Sequence, residues 1–247
     1  MADERQEEAA KYSPAQNYLL AALPAEDYER IRPHLELVEL RLGQVLYESG
    51  GQSRYFYFPI SGVVSMLHLM KDGSTGEIAL LGNEGCVGIS NFLGGDSTPN
   101  RKIVQIQGRA YRIPRDVLMA EFHRGRALHG LFLRYIAGFM ALIAQTAVCN
   151  RHHKVEQQLC RWLLMSLDRI PENEAHIPQD LISNMLGVRR TGITEAVKHL
   201  AESGLIENRR GGIFVKDRAK LEARACECYG VVKDEMERLR LPPFRTP

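Results

Sequence analysis

The run of residues 127–149 contains one charged side chain, Arg134. Read at helical period it carries two apolar stripes. One holds Leu128, Leu131, Tyr135, Gly138, Leu142 and Cys149, and the other Phe132, Ile136, Phe139, Ile143 and Ala147. Two apolar faces need two apolar partners. One face is expected to pack on the body of the protein. The other, with Leu131, Tyr135 and Leu142 as its interface residues, is expected to meet the same helix of a second copy.

The same run is long enough for a bilayer core of about 30 Å. Arg134 inside it would cost roughly 2.5–3.5 kcal/mol near the bilayer centre, and His129, Gln145 and Thr146 add polarity. Arg124 and Arg126 precede the run and Arg151 and Lys154 follow it, so no orientation is encoded. A buried dimer helix accounts for these residues with less strain, and no membrane partner is expected.

Residues 37–42, 45–47, 55–58, 63–70, 77–81, 102–107 and 110–113 read as short strands, rich in β-branched and aromatic residues and separated by glycine-containing turns. Their regular spacing implies a small jelly roll or β-roll, with Asp72-Gly73 as its clearest hairpin signal. Residues 82–100 carry five glycines, break the strand rhythm and form a candidate binding loop. Pro114 opens a helix over 115–123.

Beyond the long run, 155–167 reads as an amphipathic helix with Leu159, Trp162 and Leu163 on one stripe, and 169–177 as a polar connection. A helix over 178–186 then ends at Gly187, and a second over 189–203 ends at Gly204. This is a helix-turn-helix pattern. Ile193, Val197 and Leu200 face inward on the second helix, which leaves Arg190, Thr191, Thr194, Glu195 and Lys198 outward. Such a face suits a major groove: an arginine fork matches guanine N7 and O6, a carboxylate accepts from cytosine N4, and a threonine methyl meets thymine. Arg189 and Lys198 fall where phosphates pass. Gly192 in the helix interior costs about 1 kcal/mol relative to alanine. Strands at 205–207 and 213–216, joined through Arg209 and Arg210, read as a basic wing.

Composition agrees without deciding. The 247 residues suggest one large or two small domains, and 45% hydrophobic with 25% charged residues excludes a wholly disordered chain. Net charge is only +2, but residues 189–224 hold nine basic and five acidic side chains. Double-stranded DNA is therefore the expected partner.

A β-roll, a long two-faced helix and a winged helix-turn-helix in this order resemble the catabolite activator and fumarate-nitrate regulator (CRP/FNR) family of bacterial transcription factors. The likeness is carried by Gly43-Gln44-Val45-Leu46-Tyr47-Glu48-Ser49-Gly50, by Tyr55-Phe56 with Ser61-Gly62-Val63-Val64, and by residues 181–186 with Gly187-Val188, Arg190, Ile193 and Leu205-Ile206. It implies an α+β fold with a cyclic-nucleotide-binding-like β-roll over 1–123, a dimerisation helix and hinge over 124–153, and a winged helix-turn-helix domain with a C-terminal helix over 154–247. It also implies a homodimer on a two-fold symmetric DNA site, with Arg190, Thr191 and Glu195 at base-reading positions. Thr191 stands where the family often has glutamate, and Arg189 where it usually has serine.

Cyclic-nucleotide binders of the family use a Gly-Glu pair and an Arg-Ser or Arg-Thr pair. The nearest match here is Glu84-Gly85 with Arg101-Lys102, which lacks the hydroxyl. The effector is therefore unknown and expected to be something other than a cyclic nucleotide, with Glu84, Gly85 and Arg101 as its candidate contacts. RNA polymerase is a further implied partner; the 169–177 connection sits where a relative contacts it, but loops diverge freely and no contact is assigned. Residues 1–85 hold no cysteine, which excludes the family's N-terminal iron–sulfur cluster.

Cys228 falls on an apolar stripe of a helix expected over 218–239, and His152-His153 on a solvated hinge, so no metal or cofactor is expected. A cupin-type metalloenzyme is disfavoured because His68 stands alone among the roll strands; no catalytic residues and no enzymatic activity are expected. A cyclic-nucleotide sensor acting on protein partners would leave the basic segment unexplained. Five cysteines without disulfide-framework spacing and an N-terminus without a secretory signal point to the cytoplasm.

Overall fold

A computed structural model describes residues 11–95, 97–170, 174–175, 177–209 and 212–239. Two short helices, α1 (Tyr18–Ala21) and α2 (Ala25–Ile31), precede the roll. Asn17, fully buried, fastens them to it. Its Oδ1 accepts from Leu19 and Leu20 N–H as the cap of α1, while Nδ2 donates to the Pro59 and Gly85 carbonyls, both at 2.8 Å. All four hydrogen-bonding positions of the amide are used.

The roll consists of β1 (Glu36–Leu40), β2 (Val45–Tyr47), β3 (Tyr55–Pro59), β4 (Val63–Leu69), β5 (Thr75–Leu81), β6 (Asn100–Ile106) and β7 (Gly108–Pro114). They form two antiparallel sheets in the orders β1-β7-β3 and β2-β6-β4-β5. Phe56, Phe58, Val63, Val64, Val104 and Ile113 fill the interior. The β4–β5 turn is the expected hairpin: Gly73 takes φ +85° and Asp72 Oδ1 accepts from Ser74 N–H at 2.9 Å.

Helix α3 (Arg115–His123) leads into α4 (Ala127–His152). The residue preceding α4, Arg126, supplies no side-chain cap; Asp27 of α2 does so instead, accepting from Leu128 N–H at 3.1 Å. By length and composition α4 could cross a membrane, yet close to half of its most apolar stretch is buried inside the protein. The faces divide differently from the sequence expectation. Leu131, Tyr135 and Leu142, read as interface residues, are closed inside the chain together with Phe132, Ile136 and Phe139, because the roll and the C-terminal helix cover that side of α4 between them. Exposed on the opposite side are Leu133, Ala137, Met140, Ala144 and Val148.

The C-terminal body comprises α5 (Val155–Leu167), β8 (Glu174–Ala175), α6 (Gln179–Leu186), α7 (Arg190–Glu202), β9 (Ile206–Arg209), β10 (Gly212–Val215), α8 (Arg218–Arg224) and α9 (Cys228–Leu239). The segment read as a polar connection contributes β8, which pairs with β10 to make the wing a three-stranded sheet. The single helix expected over 218–239 is two. Ala225 is extended at φ −65°, ψ 159°, and the bend lets α8 pack on α5 while α9 packs along α4, which one straight helix could not do. One continuous apolar core runs from the roll through α4 and α5 into α6 and α7.

Candidate nucleic-acid interface

Gly187, at φ +64°, ends α6 in the left-handed conformation and turns the chain into α7. Ile193, Ala196, Val197 and Leu200 bury one side of α7. The other side presents Arg190, Thr191, Thr194, Glu195 and Lys198, which with His199 line one shallow concavity. The five outward residues expected from periodicity thus share one surface; His199, one helical turn beyond Glu195, was not anticipated.

The polar face is held by weak local contacts. Arg190 Nε lies 2.7 Å from Asp180 Oδ1, with both side chains mostly exposed, and the Thr194 hydroxyl is 3.2 Å from Gln179 Oε1 and 3.1 Å from the Arg190 carbonyl. An exposed pair of this kind contributes about 0–1 kcal/mol, so Arg190 can exchange Asp180 for a base edge at little cost. Arg189 is exposed at the α7 N-terminus. Lys198 is 3.8 Å from Glu202. On the wing, Arg209 pairs with Glu207 and lies over the Phe214 ring at 4.0 Å from its centroid, which fixes the guanidinium at the sheet surface. Arg210, the other wing arginine, lies outside the described residues.

The loop expected to bind an effector is engaged by the protein's own side chains. Arg169 donates to Glu84 Oε1 from Nε at 3.0 Å and from Nη2 at 2.8 Å, in a largely buried ion pair that joins the roll to the C-terminal body. A Cβ on Gly82 would stand 2.6 Å from the Arg169 side chain, and one on Gly85 2.0 Å from the Tyr135 hydroxyl. Arg101 forms a bidentate pair with Glu48 at 2.8 and 2.9 Å on the exposed side of the roll. The three residues considered for an effector therefore have three separate partners. Between roll and α4 the rings of Phe56, Phe92, Phe122 and Phe132 pack together, with Phe92 centred 4.6 Å from each of the others.

A second assembly lies at the joint between α4 and the C-terminal body. Cys149, His153, Cys226 and Cys228 bring their side-chain donor atoms within 4.8 Å of one another. His153 and Cys228, placed on a solvated hinge and in an apolar core by sequence alone, are thus neighbours among donors able to hold a metal.

A cyclic nucleotide-binding domain is recognised over residues 37–124 and a Crp-like helix-turn-helix domain over residues 157–224. The chain belongs to the CRP/FNR family. Its fold is that of FixK2 from Bradyrhizobium japonicum (TM-score 0.64, 16% identity, covering 78% of this chain and 98% of that one). It is also similar to a putative transcriptional regulator of the family from Eubacterium rectale (TM-score 0.60, 19% identity, 84% and 98%). A third similar structure is the c-di-GMP responsive global regulator CLP of Xanthomonas campestris (TM-score 0.60, 17% identity, 78% and 99%). No curated protein matches the sequence significantly. As a CRP/FNR-type DNA-binding transcriptional regulator, the chain carries its recognition helix as α7 and its wing as β8–β10.

Proposed function

We propose that this regulator acts in the cytoplasm as a homodimer on a two-fold symmetric duplex site, placing one α7 in each of two successive major grooves. Arg190, Thr191, Thr194 and Glu195 read base edges, while Arg189, Lys198, Arg209 and Arg210 hold phosphates. The observation that carries this reading is the division of α7 into a buried apolar side and an exposed polar concavity. The second copy docks along the exposed α4 face. RNA polymerase is a further partner, and the protein has no catalytic role.

The signal that acts on the roll is something other than a cyclic nucleotide. In support, Glu84 is paired with Arg169, Gly85 is covered by Tyr135, Arg101 is paired with Glu48, and aromatic rings fill the space under α4.

Selection from a pool of genomic duplexes should return a two-fold motif, bound with a steep inverse dependence on salt. Arg190→Ala should cost about 1–3 kcal/mol and relax one base position per half-site, whereas Arg209→Ala should weaken all duplexes alike. Equal loss on every sequence for Arg190→Ala would remove its base-reading role, and failure to enrich any symmetric motif would remove the dimeric reading.

A further inference from the structure

The cluster at the α4 joint is built as a metal site is built. Cys149 lies in the last turn of α4, and His153 follows the helix as its C-terminal cap, four residues on and so on the same face. Cys226 lies in the bend between α8 and α9, and Cys228 opens α9. Cys149 Sγ is 3.5 Å from Cys226 Sγ, and Cys228 Sγ is 3.4 Å from His153 Nδ1. A tetrahedral zinc with Zn–S near 2.3 Å and Zn–N near 2.0 Å sets ligand–ligand edges of about 3.8 Å for two sulfurs and about 3.5 Å for sulfur and nitrogen. These two separations reach those edges with shifts of a few tenths of an ångström, and all the donor atoms lie within 4.8 Å of one another, so the remaining edges close with side-chain movements of about 1 Å.

The surroundings match the same chemistry. His153 Nε2 lies 3.2 Å from Glu227 Oε2, the carboxylate contact that orients a histidine whose other nitrogen faces a metal. Gln145 Nε2 donates to Cys228 Sγ at 3.0 Å, a hydrogen bond suited to a thiolate. The three thiols are buried and form a small cluster apart from the main core. Ordinary packing accounts for buried cysteines one at a time; it gives no reason to gather three with an imidazole, an amide donor and a histidine-orienting carboxylate.

We propose that Cys149, His153, Cys226 and Cys228 form a closed four-ligand site for one zinc ion per chain, which clamps the start of α9 to the end of the long helix. Three sulfur donors and one nitrogen select a soft or borderline metal over magnesium or calcium, and four protein ligands leave no open position for catalysis. Binding displaces the thiol protons and fixes the joint from which the C-terminal body hangs. The site is independent of the DNA-binding reading: metal can bind whether or not α7 meets a duplex.

The test uses untagged full-length protein, stripped of metal under reducing conditions and titrated with Co2+ alone. One equivalent should give the visible bands of a tetrahedral thiolate-rich site, and zinc should displace it stoichiometrically. Cys149→Ser, Cys226→Ser and Cys228→Ser should each abolish or alter the spectrum, while Cys86→Ser and Cys160→Ser should leave it intact. Glu227→Gln should preserve the spectrum and weaken affinity roughly 10- to 100-fold, a readout that does not depend on the ligand variants folding. Absence of a tetrahedral spectrum in folded, fully reduced wild-type protein would overturn the proposal. Recovery of the freshly isolated protein metal-free with a Cys149–Cys226 disulfide would overturn it in favour of a thiol pair.

Discussion

The indole of Trp162, on α5, donates to Glu77 Oε1 on β5 at 3.0 Å, so a buried carboxylate links the C-terminal body to the roll. Oε2 of the same carboxylate is buried with no hydrogen-bond partner among the described residues. Burial raises Glu77 from 4.5 to about 7, against the opposing pull of hydrogen bonds from Ser65 and Trp162 and of the charges on Arg161 and Arg169. Between these values the folded protein binds a proton that the unfolded chain has released. The contribution of this group to stability is therefore full below pH 4.5 and is lost as pH rises through about 7. Glu77→Gln keeps an acceptor for Trp162 and removes the titration. The stability difference between wild type and variant, from urea unfolding, should move by about 2 kcal/mol against the wild type between pH 5.5 and pH 8. A difference independent of pH would contradict the assignment.

The proposed dimer seam rests on which side of α4 the rest of the chain leaves uncovered. Leu133, Met140 and Val148 are 44%, 62% and 50% exposed, and Ala137 and Ala144 stand between them at coiled-coil spacing. Ala137→Glu and Met140→Glu place like charges across a two-fold axis and should weaken self-association by at least about 100-fold, with helical content unchanged. Leu142, 1% exposed, lies on the other side, and Leu142→Glu should unfold the protein. Light scattering and circular dichroism on the three variants separate these outcomes. A dimer that survives both Ala137→Glu and Met140→Glu would place the seam elsewhere.

The buried Trp162–Glu77 pair and the two sides of α4 mark the border of what sequence could reveal. Asp72-Gly73, Pro114 and Gly187 announced their turns because the conformations they permit are local. The inward set Ile193, Val197 and Leu200 was readable because the opposite side of α7 is polar. On α4 both sides are apolar, so periodicity could find the stripes but not say that the fold closes over Leu142 and leaves Met140 exposed. Glu84 with Arg169, and Cys149 and His153 with Cys226 and Cys228, are pairings made by topology between segments far apart in the chain. The bend at Ala225, which brings the last two cysteines round, has no glycine or proline to signal it.

Gly192 has room for a side chain. A Cβ there would meet only Val155 of α5, at 3.9 Å, an ordinary van der Waals contact. Neither tight packing nor positive φ requires glycine at this position. Gly192→Ala should therefore stabilise the protein by about 0.5–1 kcal/mol and leave duplex affinity within about twofold. A marked fall in affinity with intact stability would show that DNA approaches the backbone here.

Gly85 separates two explanations of the glycine-rich loop. Were it kept small for a ligand, Gly85→Ala would leave the unliganded protein as stable as before. The structure instead closes Tyr135 of α4 over it: a Cβ would lie 2.0 Å from the hydroxyl oxygen, 2.3 Å from Cζ and 2.5 Å from Cε2. The ring is buried and its hydroxyl donates to the Cys86 carbonyl at 3.3 Å, so it cannot swing aside without breaking that contact. Gly85→Ala should cost about 2–3 kcal/mol, as overpacking in a filled interior does. Gly76→Ala, where a Cβ meets nothing within 4 Å, serves as the open-site control. In the Tyr135→Ala background the added cost of Gly85→Ala should nearly vanish, a coupling that a thermodynamic cycle of urea midpoints reads directly. Additive costs would mean that α4 is not seated on this loop through Tyr135.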